Sequence, residues 1–111
     1  PRLHDAVLYI EANFNENITL ADIVSNSGLN HTTLTTLMKD ELGCTAMEYL
    51  MGYRTTVAKK QLAFTEVPIK DIANMTGFKT VQHFSRIFKE HTGVTPAEYR
   101  KRAVENRKNE I

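Results

Sequence analysis

The chain has 111 residues, a formal net charge of +1, 41% hydrophobic residues and one cysteine. That length carries one small domain, or two lobes sharing an element, with a modest core and too little scaffold for a large enzyme. No apolar run approaches the roughly 20 residues of a membrane span, the N-terminus lacks a signal-peptide pattern, and lone Cys44 excludes an internal disulfide, so a soluble, cytoplasmic protein is expected. Pro1 in place of Met points to a processed chain or a piece cut from a longer one.

Taken in order, Leu3 to Phe14 reads as an amphipathic packing helix, because Leu3, Val7, Ile10 and Phe14 recur at steps of three and four. Asn15 to Asn17 breaks it. Thr19 is the expected N-cap of a helix from Leu20 to about Ser27, with Asp22 in its first turn and Gly28 as its stop. Leu29 plugs the turn, and a helix from about Thr32 to Leu42 places Leu34, Leu37, Met38 and Leu42 inward before Gly43. From Thr45 the series Tyr49, Leu50, Tyr53, Val57, Ala58 and Leu62 predicts one long helix to about Thr65, ~30 Å in length. Pro68 opens a helix carrying Ile69, Ile72 and Ala73, followed by Gly77 and Phe78. Thr80 is the expected cap of a helix from about Val81 to His91 with Phe84, Ile87 and Phe88 inward. Gly93 ends it, and Thr95 with Pro96 starts a short helix through Tyr99 into the basic run Arg100 to Arg102, leaving a polar, frayed tail.

Two of these stretches repeat each other. Asp22, Ile23 and Gly28 recur 49 residues later as Asp71, Ile72 and Gly77. Lys39, Gly43, Thr45, Glu48 and Tyr49 recur 50 residues later as Lys89, Gly93, Thr95, Glu98 and Tyr99. A repeat of this length is a repeated physical unit, here a short helix, a glycine turn and a longer amphipathic helix. That is the layout of a helix-turn-helix, and two of them in one small chain point to double-stranded DNA. Charge separates the copies: residues 1 to 51 sum to −5 and residues 52 to 111 to +6. The second half carries the electrostatic footprint of a DNA-binding surface, and the first does not.

A recognition helix buries one face and offers the other to the major groove. With Phe84, Ile87 and Phe88 assigned to the core, Val81, Gln82, Ser85, Arg86 and Lys89 remain, flanked by Lys79 and Thr80. Gln82 can present a bidentate pair to adenine, Arg86 to guanine or a phosphate, and Val81 can meet a thymine methyl, while Lys79 and Lys89 suit phosphates. The positions 50 residues earlier are His31, Thr32, Thr35, Thr36 and Lys39, mostly small and neutral, so the first unit is expected to bind more weakly. The plainer reading of each set is a solvated helix face.

The run Ile69-Lys70-Asp71-Ile72-Ala73, then Gly77-Phe78, His83-Phe84-Ser85-Arg86-Ile87-Phe88-Lys89, Gly93-Val94-Thr95-Pro96 and Tyr99-Arg100, closely resembles the C-terminal signature of AraC/XylS-type transcription regulators. Leu20, Gly28, Leu34, Lys39, Gly43, Tyr49, Leu50, Arg54 and Ala58 match its first half, so the resemblance covers nearly the whole chain. It implies an all-α fold of about seven helices: two helix-turn-helix subdomains joined by a long linking helix, with recognition helices in successive major grooves. The corresponding division is residues 1–44, 45–65 and 66–103, then a tail over 104–111. The chain departs from the family pattern at Thr36, usually arginine, Met38, usually phenylalanine, and His83, usually tyrosine. Relatives commonly add a sensing or dimerisation domain, so this chain is either a DNA-binding fragment or a stand-alone regulator.

Other chemistry is not indicated. His4, His31, His83, His91 and Cys44 lack a metal-ligand spacing, no cofactor is implied, and no enzyme motif occurs. His83 and His91 border the core side of their helix and read as packing or capping residues, Tyr49 and Tyr99 as matched packing residues, and Arg54 as a partner of an internal carboxylate, with DNA contact as the alternative. Arg100, Lys101, Arg102, Arg107 and Lys108 form a basic tail that could reach phosphates, although such a tail is more often a solvated helix end. The reading is a bacterial transcription regulator, an activator above all. The acidic half would suit RNA polymerase or a sensing domain. The alternative is a protein-interaction module in which only the second unit, or neither, touches DNA.

Overall fold

The computed structural model describes residues 2–109 and contains seven helices among them: α1 (Arg2–Asn13), α2 (Leu20–Ser27), α3 (His31–Leu42), α4 (Ala46–Phe64), α5 (Ile69–Met75), α6 (Val81–Thr92) and α7 (Pro96–Asn109). The chain is all-α, as expected, and folds as two units, residues 1–53 and 54–111, whose border falls within α4. Since Gly52 and Tyr53 are uncharged, the units carry the same −5 and +6 as the two sequence halves.

Unit 1 is built on Ala6 and Ile10 of α1, Ile18 before α2, Ile23 of α2, Leu34 and Met38 of α3, and Ala46 and Leu50 of α4. Burying these side chains is the main force holding together helices that would be marginal alone in water. The local signals agree with the packing. Thr19 and Asp22 form a reciprocal capping box, the Asp22 N–H donating to Thr19 Oγ1 at 3.2 Å and the Thr19 N–H to Asp22 Oδ2 at 2.9 Å. Gly28 ends α2 at φ 73°, a left-handed conformation that glycine adopts without steric penalty. Asn30, absent from the sequence expectations, caps α3 by accepting the Thr33 N–H at 2.8 Å, so the helix begins one residue earlier than expected. Phe14 meets Tyr53 edge to face at 5.2 Å, and the Tyr49 hydroxyl donates to Glu11 at 2.7 Å. Leu42, expected inward, is 43% exposed at the last position of α3.

Unit 2 has a more aromatic core. Phe78, Phe84, Phe88 and Tyr99 form a continuous chain of ring contacts, at 5.2 Å, 5.7 Å and 5.4 Å between successive centroids. Ala58 and Leu62 of α4 and Ile72 and Ala73 of α5 are buried in the same unit. Arg54 is 5% exposed with its guanidinium 5.5 Å from the Phe78 ring centre, and burial pushes its pKa below the usual value. The side chain lies inside the unit, as expected, and the contact shown there is a cation–π contact with Phe78, where the sequence led to the expectation of a carboxylate partner.

Two expectations for the C-terminal region need correction. Arg100 does not belong to a free basic tail: its Nε donates to the Leu62 carbonyl oxygen and its Nη2 to that of Thr65, both at 3.1 Å. It thereby satisfies carbonyl groups at the end of α4 that have no helical partner, and places a positive charge at a helix C-terminus. The helix begun at Pro96 also does not stop near Arg102 but continues to Asn109. Ala103 and Val104 are half-buried, and Arg107 lies 5.9 Å from the ring centre of Phe64. His91 is exposed rather than bordering the core.

Candidate nucleic-acid interface

α6 is the better defined of the two candidate recognition helices. Thr80 precedes it in an extended conformation and its hydroxyl accepts the His83 N–H at 3.0 Å, while Gly93 closes the other end at φ 85°. Phe84 and Phe88, one turn apart and wholly buried, clamp one face of the helix to the aromatic core. His83 adds a T-shaped contact with Phe78 at 5.4 Å, which accounts for an aromatic residue at that position. With that face immobilised, the rotation of α6 within its unit is determined, and so is the identity of the residues left outside.

Those residues are largely the ones expected. Gln82, Arg86 and Lys89 are exposed on α6, with Lys79 and Thr80 exposed just ahead of its N-terminus. Val81 and Ser85 are half-buried at the edge of the face, so only part of each side chain is available. The first turn of α6 carries no acidic residue, leaving the positive end of its dipole open to a phosphate. Gln82 and Arg86 are spaced i, i+4 and share one stripe, which ends in a residue the sequence reading missed: Glu90, whose Oε2 lies 3.2 Å from Arg86 Nη1. Its i, i+4 spacing to Arg86 was the available signal. Both side chains are more than half exposed, so the pair stabilises the helix by only about 0.3–0.5 kcal/mol. A better acceptor could therefore recruit the arginine at little cost.

α3 presents the matching set in unit 1. His31, Thr32, Thr35, Thr36 and Lys39 are all exposed, while Leu34 and Met38 are buried on the opposite face. His31 and Thr35 flank a shallow apolar recess lined also by Leu20, Leu34, Ala46 and Met47. Lys39 is partly engaged, its Nζ 3.9 Å from Glu48 Oε1, and the same carboxylate oxygen accepts the Thr45 N–H at 2.8 Å. Lys89, the corresponding lysine of unit 2, makes no ion pair among the described residues, because Glu98 turns to Arg102 at 3.0 Å instead. The structure thus gathers the candidates into two sets, one in each unit, and the set on α6 holds the more available positive charge.

No helix among the described residues is long and apolar enough to cross a membrane. Among the same residues no group of three or more His, Cys, Asp or Glu is arranged to hold a metal ion.

Comparison with known proteins agrees with this geometry. Residues 23–102 match a family described as a helix-turn-helix domain. The chain is 37% identical over 100 residues to the "Probable transcription factor PqrA" of Proteus vulgaris, covering 88% of this chain and 82% of that protein. It is 33% identical over 98 residues to the lactose operon transcription activator of Staphylococcus xylosus, covering 88% of this chain but 35% of the relative. Against YtdP, an HTH-type transcriptional regulator of Bacillus subtilis, it spans 13% of the relative's length. Among solved structures, the C-terminal domain of the response regulator AraT from Geobacillus stearothermophilus superposes with a TM-score of 0.86 at 32% identity, covering 91% of this chain and 84% of that one. An AraC-type DNA-binding domain protein from Chromobacterium violaceum gives 0.85 at 32% identity, covering 93% and 92%. The DNA-binding domain of AdpA, solved with a target DNA, shares the fold at a TM-score of 0.88 with 18% identity, over 95% of each chain. The chain belongs to the AraC-type helix-turn-helix family and is a DNA-binding domain of the transcription-regulator type.

Proposed function

We propose that this domain reads a bipartite operator by placing α3 and α6 in successive major grooves of one duplex, and that the parent regulator activates transcription. The observation that carries the reading is the division of α6 between the buried Phe84 and Phe88 and the exposed Gln82, Arg86 and Lys89. Lys79, Thr80 and Lys89 would hold phosphates and set the register, while Gln82, Arg86, Val81 and Ser85 would meet base edges. On α3, Thr32, Thr35 and Thr36 would supply methyl contacts and single hydrogen bonds, with His31 and Lys39 beside the backbone. Activation is supported by the relatives named as activators, among them the lactose operon protein of Staphylococcus xylosus and NphR of Rhodococcus.

The charge division favours a second reading, in which unit 1, at −5, faces a partner protein such as RNA polymerase or a sensing domain while unit 2 alone holds the duplex. A salt titration of binding to a selected duplex separates the two. Each phosphate neutralised contributes about −0.9 to the slope of log K against log salt, so docking through both units gives a steep slope. A version of unit 1 with Lys39→Ala and His31→Ala then flattens that slope under the two-groove reading and leaves it unchanged under the other.

A further inference from the structure

We infer that Glu90 is a positioning residue for base recognition, orienting the Arg86 guanidinium so that one edge of it is presented to a guanine. The inference deepens the proposed role of α6 and rests on it. Glu90 takes Arg86 end-on: its Oε2 meets Nη1 at 3.2 Å, and Nε and Nη2 have no partner among the described residues. A guanidinium carries five N–H donors in a rigid planar fork, so a carboxylate holding one end leaves the Nε–Nη2 edge able to form two parallel bonds. Guanine O6 and N7 in the major groove offer the matching pair of acceptors.

The placement fits this use. Gln82, Arg86 and Glu90 fall at i, i+4 and i+8 on the exposed stripe of a helix whose opposite face is fixed by Phe84 and Phe88. An unrestrained arginine would lose rotamer freedom on binding any base or phosphate. One already held by Glu90 has given up part of that freedom beforehand, and only in the geometry that suits a bidentate acceptor. The carboxylate acts on unwanted ligands as well. Its negative charge on the groove-facing stripe repels phosphates that approach without a base pair to engage Arg86, so it lowers affinity for arbitrary DNA while supporting recognition of the correct one.

The test uses the whole chain, the best duplex recovered by selection with the unaltered protein, its single-base-pair variants, and a scrambled duplex. The expected result for Glu90→Ala is a roughly twofold loss of preference at one guanine position, the change an exposed pair of this strength supports, with tighter binding to the scrambled duplex. Glu90→Gln, which keeps a carbonyl oxygen at the same reach, should retain most of the preference. Arg86→Ala should abolish preference at the same position, and adding Glu90→Ala to it should change nothing further there. If Arg86→Ala abolishes the preference but Glu90→Ala leaves it intact, or weakens all duplexes equally, the role of Glu90 is overturned while the reading of α6 stands. If Arg86→Ala leaves every base preference intact, the reading of α6 itself is overturned.

Discussion

The Tyr49 hydroxyl donates a 2.7 Å hydrogen bond to the Glu11 carboxylate, fastening the start of α4 to α1 across unit 1. Burial, followed by the hydrogen bond to Glu11 and its charge, pushes the phenol up from 10.0 to about 12. The folded state therefore keeps this proton more tightly than the unfolded chain. The associated stability is complete below pH 10 and is lost as pH rises from there to about 12. Chemical denaturation across that window should show a fall that Tyr49→Phe lessens, since other groups titrate equally in both proteins. At neutral pH the same variant should lose about 1 kcal/mol, leaving the half-buried Glu11 without its donor.

Arg100 should behave as a structural residue. Its guanidinium serves the Leu62 and Thr65 carbonyl oxygens, so Arg100→Ala removes the cap of α4 and should lower the stability of unit 2 by about 1–3 kcal/mol. Measured at a temperature where the variant remains folded, its salt slope for DNA binding should match that of the unaltered protein. A slope reduced by about one would mean that Arg100 holds a phosphate after all.

Phe84→Ala should be the most damaging of the substitutions considered, because it opens a void between Phe78 and Phe88 in the ring chain that fixes α6. A loss of about 3–5 kcal/mol is expected from thermal or denaturant unfolding. Binding to the selected duplex should fall with the folded fraction.

Much of this arrangement was legible beforehand because the two units repeat the same local instructions. Gly28 and Gly77 mark the turns, Thr45 and Thr95 cap the helices that follow Gly43 and Gly93, and the apolar residues of α3 and α6 keep helical spacing. The exposed sets on both helices followed by subtraction of the core positions. What escaped the reading depends on distant partners. Arg100 caps a helix end more than 30 residues upstream, and nothing near it in sequence distinguishes it from Lys101 or Arg102. The last turns of α7 are polar apart from the half-buried Ala103 and Val104, so no apolar pattern in the sequence announced that the helix runs on to Asn109. Asn30 was overlooked for a different reason: the turn was read from Gly28 and Leu29, although Asn30 is itself a good cap residue.

Thr36→Arg should strengthen unit 1. Thr36 is exposed at the position equivalent to Arg86, and Asp40 stands one turn later where unit 2 has Glu90. An arginine introduced there would have a carboxylate at the same i, i+4 spacing. Affinity for the selected duplex should rise several-fold and the salt slope should steepen by about one, as measured by fluorescence anisotropy. Unchanged affinity and slope would mean that α3 does not approach the duplex.

The most direct test of two-groove recognition is selection of bound duplexes from a random library at near-physiological salt, followed by measurement of the spacing within the recovered motif. Two short conserved blocks about 10 base pairs apart are predicted, since successive major grooves on one face are one helical turn apart. A single block beside an unspecified flank would contradict the account, leaving α6 to read DNA alone and α3 to serve another partner.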